Sequence, residues 1–343
     1  MKYKLKDIAE YAKVSVSTVC RVINNKDIVK PETRERVLDA IEALDYKMDN
    51  IFTSSKAMAN YTIGIFLREN DYKKTFEIKY GIEKVTETIA FKKQVESSGG
   101  RTKFFEMDDI KPVNLPETLK NEKINGIIIF GAGDNDKDIL LKLKDIGMPF
   151  IVTNGISDFV KDNRMSFVEY DDFTGISNIL KYFKENRRTN LAMINGPDQM
   201  WVCQERRDAF YHFIKVYKIS ETPLFYYTGE FDFKTGQDGV LGLKSRGLLE
   251  NVNGIICGSD IIAIGAIREL IRLGIDIPGK VSVFGYDDTP ICEYFNPPIS
   301  SIKRDLKNYS TYIVERLYDL IRTKNKLNIQ IYIKTYPVFR KST

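Results

Sequence analysis

The sequence predicts an α/β protein in which a three-helix helix-turn-helix headpiece precedes a core of two doubly wound parallel-sheet subdomains. Three observations predict this class. The pattern of residues 5–24 predicts two short amphipathic helices joined by a tight polar turn. From Thr62 onwards, continuous apolar runs alternate with helical patterns. The chain has 343 residues, too many for one ordinary domain, and its hydrophobic content of 43% is sufficient for a full core.

The first segment has the pattern of a helix pair that enters the DNA major groove with the N-terminus of its second helix. Ala9 is small enough for a close helix crossing, and the Ser15 hydroxyl can cap the second helix. The alternative is a small helical hairpin that only packs. Residues 1–30 carry seven basic and three acidic side chains, which fits phosphate contacts. Helical spacing predicts a buried face of Val19, Val22 and Ile23 and an outer face of Val16, Ser17, Cys20 and Arg21.

A third helix is predicted from Pro31 to about Leu44, because proline suits a first helical turn. Three helices of this length form a unit too small to be very stable alone. We therefore expect a headpiece over residues 1–47. Residues 48–61 break the apolar rhythm and form a linker, and the core covers residues 62–343.

The core sequence reads as repeated strand–helix units. Such alternation favours right-handed β-α-β winding. Two sheets side by side create a cleft lined by the carboxyl ends of strands, where small ligands bind in such folds. The predicted strands are 63–67, 126–130, 150–152, 191–194, 254–257 and 281–285, and the predicted helices are 76–95, 136–146, 173–186, 204–217 and 260–273.

Several function classes lack the residues that they need. Four cysteines without paired spacing and a single histidine, His212, offer no zinc or haem site. The turn Gly131-Ala132-Gly133 lacks the third glycine of a dinucleotide loop, since Asp136 stands there. No histidine is placed to activate a nucleophile. We expect no enzyme activity, cofactor or metal. The absence of a long apolar run predicts a soluble, cytoplasmic protein with no membrane partner.

Polar side chains follow several predicted buried strands. Asn154, the pair Ser259-Asp260 and the pair Asp287-Asp288 occupy such positions, and Arg206 starts a helix after another strand. Carboxylate and guanidinium groups give directed, charge-assisted bonds to sugar hydroxyls. Phe231 or Trp201 could stack on a pyranose ring. Each residue alone is more often a helix cap or a surface charge, whereas their recurrence at strand ends predicts a ligand cleft.

With these motifs, the chain resembles the lactose/galactose repressor family of bacterial transcription regulators over nearly its whole length. The resemblance implies a periplasmic-binding-protein-like core and a homodimer that reads an operator of two-fold symmetry. From the strand–helix alternation we predict subdomains of residues 62–160 plus 291–325 and 161–290 plus 326–343. The matching segments are KDIAEYAKVSVSTVCRVIN, ETRERVLDAIEALDY, INGP with ERRDAF, GSDIIAIGAIRELIRLGIDIP, VSVFGYDDT and NPPISSIKRD.

The resemblance also implies site residues. Val16, Ser17 and Arg21 would face the groove, and Arg21 could pair with guanine. The positions near DNA phosphates are Ser15, Thr18, Asn24 and Thr33, and the effector positions are Arg68, Asn154, Arg206, Phe231, Ser259, Asp260 and Asp287.

The linker departs from the family pattern. Ser55 occupies the hinge position at which the family usually inserts a leucine into a minor-groove base step, and Thr53 replaces an expected arginine. A serine cannot act as an apolar wedge. Lys74-Thr75 stands where an aromatic pair is expected, so the particular sugar cannot be transferred from better-known members.

We therefore predict a sequence-specific DNA-binding regulator, a repressor of sugar-utilisation genes, controlled by a small effector in the cleft. Its partners would be double-stranded operator DNA, a sugar and a second copy of the chain. No leucine heptads follow the helical segment 307–322, which favours a dimer over a tetramer. The alternatives are a nucleobase or a protein corepressor in place of the sugar, a sugar receptor without regulatory role, and an enzyme on a doubly wound fold.

Overall fold

A computed structural model describes residues 5–23, 61–67, 82–132, 134–219, 225–324 and 328–343, together with residues 32–33, 36–37 and 39–40. The chain divides into two compact units, residues 1–57 and residues 58–343. Each unit is built around its own apolar core.

The first unit contains the predicted helix pair, α1 (Leu5–Tyr11) and α2 (Val16–Ile23). The described residues between 32 and 40 are also helical. Ile8 and Val19 are fully buried where α1 and α2 meet, and Val37 and Ala40 complete the same cluster. The helical spacing in the sequence thus corresponds to one small apolar core.

The second unit follows in chain order. It begins with β1 (Thr62–Leu67), α3 (Ile82–Ser97), β2 (Arg101–Glu106), α4 (Leu115–Asn121), β3 (Gly126–Ala132), α5 (Lys137–Asp145), β4 (Phe150–Ile156), α6 (Asp158–Asp162) and β5 (Phe167–Tyr170). It continues with α7 (Asp172–Glu185), β6 (Leu191–Asn195), α8 (Trp201–Val216), β7 (Phe225–Thr228), α9 (Phe233–Ser245), β8 (Gly254–Cys257) and α10 (Asp260–Arg272). It ends with β9 (Ser282–Asp287), α11 (Ile291–Tyr294), β10 (Ser300–Lys303), α12 (Leu306–Arg322), β11 (Gln330–Ile333) and β12 (Tyr336–Val338).

These strands form two six-stranded sheets. The first has the order β11-β5-β4-β3-β1-β2 and is parallel throughout. The second has the order β12-β10-β9-β8-β6-β7 and is parallel except for β12, which pairs antiparallel with β10. We call them the N-subdomain sheet and the C-subdomain sheet. The predicted pair of parallel sheets is confirmed.

Helices cover both faces of each sheet, which explains the continuous apolar runs of the central strands. On the N-subdomain sheet, Ile63 and Ile65 face the helix pair α3 and α12, whereas Phe66 points to the opposite face with α4 and α5. On the C-subdomain sheet, Ile255 packs on the side of α9 and α10, and Ile256 packs on the side of α7 and α8. Side chains alternate between the two covered faces, so the inner strands are buried except for half-buried residues near the carboxyl ends of β3, β4 and β9.

The chain passes between the subdomains three times, at places that differ from the expected boundaries. The passages lie between β5 and α7, between β10 and α12, and between β11 and β12. The sequence-based boundaries after residues 160, 290 and 325 assign β5, β10 and β11 to the wrong subdomain. Each of these strands has only four residues, and none is a continuous apolar run, so the sequence pattern did not reveal them.

Candidate DNA-binding and effector sites

The turn between α1 and α2 has the geometry that the sequence predicts. Lys13 adopts a left-handed backbone with φ of 53°, and the Val14 amide donates to the Ala9 carbonyl at 2.9 Å. The Ser15 hydroxyl accepts a hydrogen bond from the Thr18 amide at 3.1 Å. Ser15 therefore caps α2 and satisfies a free amide of its first turn.

The outer face of α2 begins with Val16, which is 40% exposed, whereas Val19 and Val22 are buried. Ser17 and Arg21 lie on α2, and their side chains are outside the described part of the structure. Thr33 is half-buried in the helical stretch that follows. Asn24, Ser55 and Arg68 lie outside the described residues. The described geometry is thus that of a capped helix whose first residue, Val16, is exposed.

In the second unit, Arg304 connects the two subdomains. It follows β10 at the passage to α12, and its Nη1 donates to Asp287 Oδ1 at 3.1 Å. Its Nη2 donates to Glu87 Oε1 at 3.1 Å and to Asn154 Oδ1 at 3.3 Å. The guanidinium stacks on the Tyr170 ring, 4.2 Å from its centroid. Since Glu87 and Asn154 belong to the N-subdomain and Asp287 to the C-subdomain, one side chain bridges the cleft.

A second buried arginine lies in the C-subdomain. Arg206 Nε donates to Asp172 Oδ2 at 2.7 Å, and its Nη1 donates to the Gly258 carbonyl at 2.7 Å. The Tyr286 ring lies under the guanidinium, 3.8 Å from ring centroid to Cζ, and its hydroxyl donates to Asp172 Oδ1 at 2.7 Å. Arg206 is 2% exposed. Asp172 balances the buried charge of Arg206, and Asp172 and the Gly258 carbonyl accept its hydrogen bonds. A buried arginine needs such partners to offset the loss of water.

Strained backbone marks the same region. Asn154 at the end of β4 has φ of 60°, and Asp287 and Asp288 at the end of β9 have φ of 107° and 53°. Non-glycine residues rarely adopt these angles, and they concentrate at ligand sites, where surrounding contacts hold them. Two of these residues, Asn154 and Asp287, are bonded to Arg304.

Ser259 and Asp260 are engaged in holding the C-subdomain together. The Ser259 hydroxyl caps α10 by accepting from the Ile262 amide at 3.4 Å. Asp260 is 1% exposed, and its carboxylate accepts from the Thr289 amide at 2.7 Å and from the Ser301 hydroxyl at 2.6 Å. These contacts fix the loop after β9 against β10. Both residues are buried.

The two aromatic candidates lie on the C-subdomain. The half-buried Phe231 ring covers Gly196, where a Cβ atom would come within 2.5 Å of the ring. A side chain at position 196 would therefore require the Phe231 ring to move. Trp201 begins α8, and its Cβ would lie 3.4 Å from a Cβ on Gly155, which belongs to β4 of the other subdomain. Helix α8 therefore approaches the N-subdomain across the cleft.

Burial makes several carboxyl groups near the cleft harder to ionise. The pKa of Glu169 is raised to about 7 by desolvation, although the Gly155 and Tyr170 amides donate to its carboxylate. Desolvation and the nearby Asp172 raise the pKa of Glu205 to about 7. Burial also raises the pKa of Asp287, against the opposing effect of Arg304.

The sequence did not reveal three residues of this region: Glu87, Asp172 and Arg304. Arg304 directly follows β10, and Asp172 lies two residues after the end of β5. Recognising these two short strands in the sequence would have identified both residues as strand-end candidates. Glu87 lies inside α3 and has no local signal.

Within the described residues, no cluster of histidine, cysteine or carboxylate side chains is arranged to hold a metal ion. No helix in the described ranges combines the length and the apolar character needed to cross a membrane.

A capped helix-turn-helix on one unit and two parallel-sheet subdomains joined by buried polar contacts on the other define a class of protein. It is the transcriptional regulator that joins a DNA-binding headpiece to a periplasmic-binding-protein-like domain. Residues 4–49 match the family described as bacterial regulatory proteins, lacI family, and residues 180–343 match the periplasmic binding protein-like domain. The chain thus combines a lacI-family helix-turn-helix domain with a periplasmic-binding-protein-like domain, and its curated relatives include transcriptional repressors.

Curated relatives align over almost the full chain. The probable HTH-type transcriptional repressor ExuR of Bacillus subtilis is 26% identical over 320 residues, covering 92% of this chain and 91% of the relative. The ribose operon repressor of Haemophilus influenzae is 26% identical over 338 residues, covering 98% of each chain.

Solved structures share the fold. A structure described as a complex of the transcriptional regulator CelR with cellobiose has a TM-score of 0.70 at 22% identity and covers 100% of both chains. A lac repressor dimer bound to operator has a TM-score of 0.69 at 21% identity, covering 100% of this chain and 99% of that one.

Proposed function

We propose that this protein is a cytoplasmic repressor of sugar-utilisation genes, whose operator affinity is controlled by a sugar in the interdomain cleft. The observation that carries the proposal is the contact set of Arg304, which joins Glu87 and Asn154 of one subdomain to Asp287 of the other. A ligand that competes for these groups acts on both subdomains at once, and can therefore shift their relative position. The names of the ribose operon repressor and of the CelR–cellobiose complex support a sugar as the ligand.

In this proposal, α2 reads DNA in the major groove with Val16, Ser17 and Arg21. Ser15, Thr18, Asn24 and Thr33 lie near phosphates, and Ser55 belongs to the hinge next to the DNA. The exposure of Val16 and the Ser15 cap support this use of the helix N-terminus. The lac repressor neighbour is described as a dimer on its operator, which supports a homodimer and a two-fold operator here.

The proposed effector residues contribute in different ways. Asn154 and Asp287 contact the sugar hydroxyls, and Phe231 stacks on the apolar face of the ring. Arg206, Ser259 and Asp260 hold the wall behind them, as their buried contacts support. Arg68 would contribute from the loop after β1.

A nucleobase is the second candidate effector. The half-buried Phe231 ring offers a stacking surface for a planar heterocycle as well as for a pyranose. Thermal-shift screening of sugars and nucleobases on the full-length protein distinguishes the two.

The DNA-binding assignment is tested by selecting operator sequences from a random duplex library and measuring affinity by fluorescence anisotropy. We expect Arg21→Ala to weaken binding to the selected operator by about 1–3 kcal/mol, since a bidentate arginine–guanine contact is lost. Affinity for random DNA should change little. Lys215→Ala, which removes one positive charge at the end of α8, is the control. Unchanged operator affinity of the Arg21 variant would exclude this residue from base recognition.

A further inference from the structure

The described polar groups at the junction of the two subdomains include more carboxylates than cations. The N-subdomain contributes Glu87 and Glu169, and the C-subdomain contributes Asp172 and Asp287. All four lie within one electrostatic cluster with Arg206 and Arg304. Nearby, Glu205 of α8 interacts with both Asp172 and the exposed Lys161 of α6. With these two included, five carboxylates face three cations.

Both buried arginines already have anionic partners. Arg206 is bonded to Asp172 and to a backbone carbonyl, with one face on Tyr286. Arg304 divides its two terminal nitrogens between Asp287 and Glu87, and Asn154 accepts from one of them. An anionic ligand would have to displace one of these carboxylates and would then lie beside it. Like charges a few ångströms apart in a partly desolvated site repel strongly.

A hydroxyl group avoids this repulsion, because it can donate to a carboxylate that still pairs with its arginine. Asp287 Oδ2 takes no part in the Arg304 bond, which uses Oδ1. Hydrogen bonds from a neutral donor to a carboxylate are charge-assisted and short. A cleft with surplus buried carboxylates is therefore suited to a ligand rich in uncharged donors.

We infer that the cleft selects an uncharged, polyhydroxylated sugar over its carboxylated or phosphorylated counterpart, and that Glu87 and Glu169 set this selectivity by their charge. The inference rests on the proposed function, since it concerns the effector of the same cleft. It adds the class of sugar, and two residues that the family resemblance did not supply.

The test uses the full-length protein and matched sugars that differ in one group: glucose, glucuronate and glucose 6-phosphate; galactose and galacturonate; ribose and ribose 5-phosphate. Calorimetric affinity is measured at pH 8, together with the effect of each sugar on operator binding. We expect the effector to be a neutral member of the panel, with affinity at least about 100-fold above that of its anionic partners.

Variants of the carboxylates test their role. Glu87→Gln removes one negative charge and should reduce the ratio of neutral to anionic affinity about tenfold. Glu169→Gln should change the ratio in the same direction. It provides the test if circular dichroism shows that Glu87→Gln is not folded. Glu117→Gln, which removes an exposed carboxylate on α4, should leave the ratio unchanged.

Three results would overturn the inference, and they are distinguishable. Tighter binding of a uronate or sugar phosphate refutes the charge selectivity but leaves a sugar-controlled regulator intact. An unchanged ratio in both glutamine variants removes Glu87 and Glu169 as its determinants. If no sugar of either charge binds or alters operator affinity, the proposed function fails and the inference fails with it.

Discussion

Arg206 shows what a buried charge requires at the scale of one residue. Its guanidinium is removed from water, and Asp172, the Gly258 carbonyl and the Tyr286 ring replace the lost hydration. A complete cluster of this kind contributes little net stability, whereas a broken one is costly because the remaining charge stays buried.

We therefore expect Arg206→Met to lower the free energy of unfolding by about 3–5 kcal/mol, because it leaves the Asp172 carboxylate without its cation. The neighbouring Arg207→Met removes two partly exposed ion pairs, with Asp198 and Asp208, and should cost at most about 1 kcal/mol. Urea unfolding followed by fluorescence measures both, since the only tryptophan, Trp201, belongs to this unit. Equal effects of the two substitutions would contradict the buried role of Arg206.

Glu169 makes the stability of the core unit depend on pH. Its pKa is about 7 in the folded protein and 4.5 in its ordinary state, so folding favours the protonated form. The contribution of this group is fully present below pH 4.5 and is lost as the pH rises through 7.

The free energy of unfolding of the wild type should fall between pH 4.5 and pH 8. Because a glutamine side chain cannot ionise, this fall should be about 3 kcal/mol smaller in Glu169→Gln. Urea unfolding at pH 4.5 and pH 8 measures the difference for each protein. The same pH dependence in the wild type and the variant would show that Glu169 ionises normally.

At the scale of elements, two glycines determine how α9 packs on α10. A Cβ on Gly236 would lie 2.1 Å from the Ile262 carbonyl oxygen, and one on Gly265 would lie 2.0 Å from the Phe233 carbonyl oxygen. The obstructing atoms are backbone, so they cannot rotate away. Glycine thus gives a close helix contact here, although it lowers intrinsic helix propensity. The glycines of α9 also explain why its helical pattern was missed in the sequence.

Gly265→Ala should therefore destabilise the core unit by about 3 kcal/mol, near the upper end for overpacking, despite the better helix propensity of alanine. Ser245→Ala, at an exposed position at the end of α9, should change stability by less than about 0.5 kcal/mol. Chemical unfolding monitored at Trp201 tests the pair. A neutral or stabilising effect of Gly265→Ala would mean that the two helices can separate freely.

At the scale of the whole molecule, the chain passes three times between the two subdomains. Arg304 lies at one passage, Tyr170 precedes another, and the two are stacked. Their contacts reach Asn154 and Asp287 at the ends of β4 and β9. A ligand in this region can shift the population of subdomain arrangements only by as much as it binds one arrangement better than the other.

We expect Asp287→Ala to abolish the effector response while leaving operator binding intact, because the change lies in the core unit and removes the proposed hydroxyl acceptor. Asp287→Asn is the companion variant, since asparagine tolerates the left-handed backbone at this position and removes only the charge. Asp208→Ala at an exposed position of α8 is the control. Operator anisotropy with and without effector measures the response. An equal loss of operator binding and response would indicate a folding role instead.

How far the sequence predicts the structure depends on the range of the interactions. The inner strands were predictable because burial on both faces makes their residues apolar, as in β3 and β8. The Ser15 cap was predictable because its partner, Thr18, lies three residues away. The short strands β5, β10 and β11 were missed, because pairing with neighbouring strands stabilises them rather than their own composition.

The sequence by itself determined the helix-turn-helix, the alternation of buried strands with helices, and the presence of Asn154 and Asp287 at strand ends. Only the tertiary structure decided which subdomain each short strand joins and which charges pair in the cleft. Arg304 and Glu87 are separated by 217 residues along the chain, and Arg206 and Asp172 by 34. Local patterns report burial and caps within a few residues, whereas such ion pairs form only when the sheets bring distant segments together.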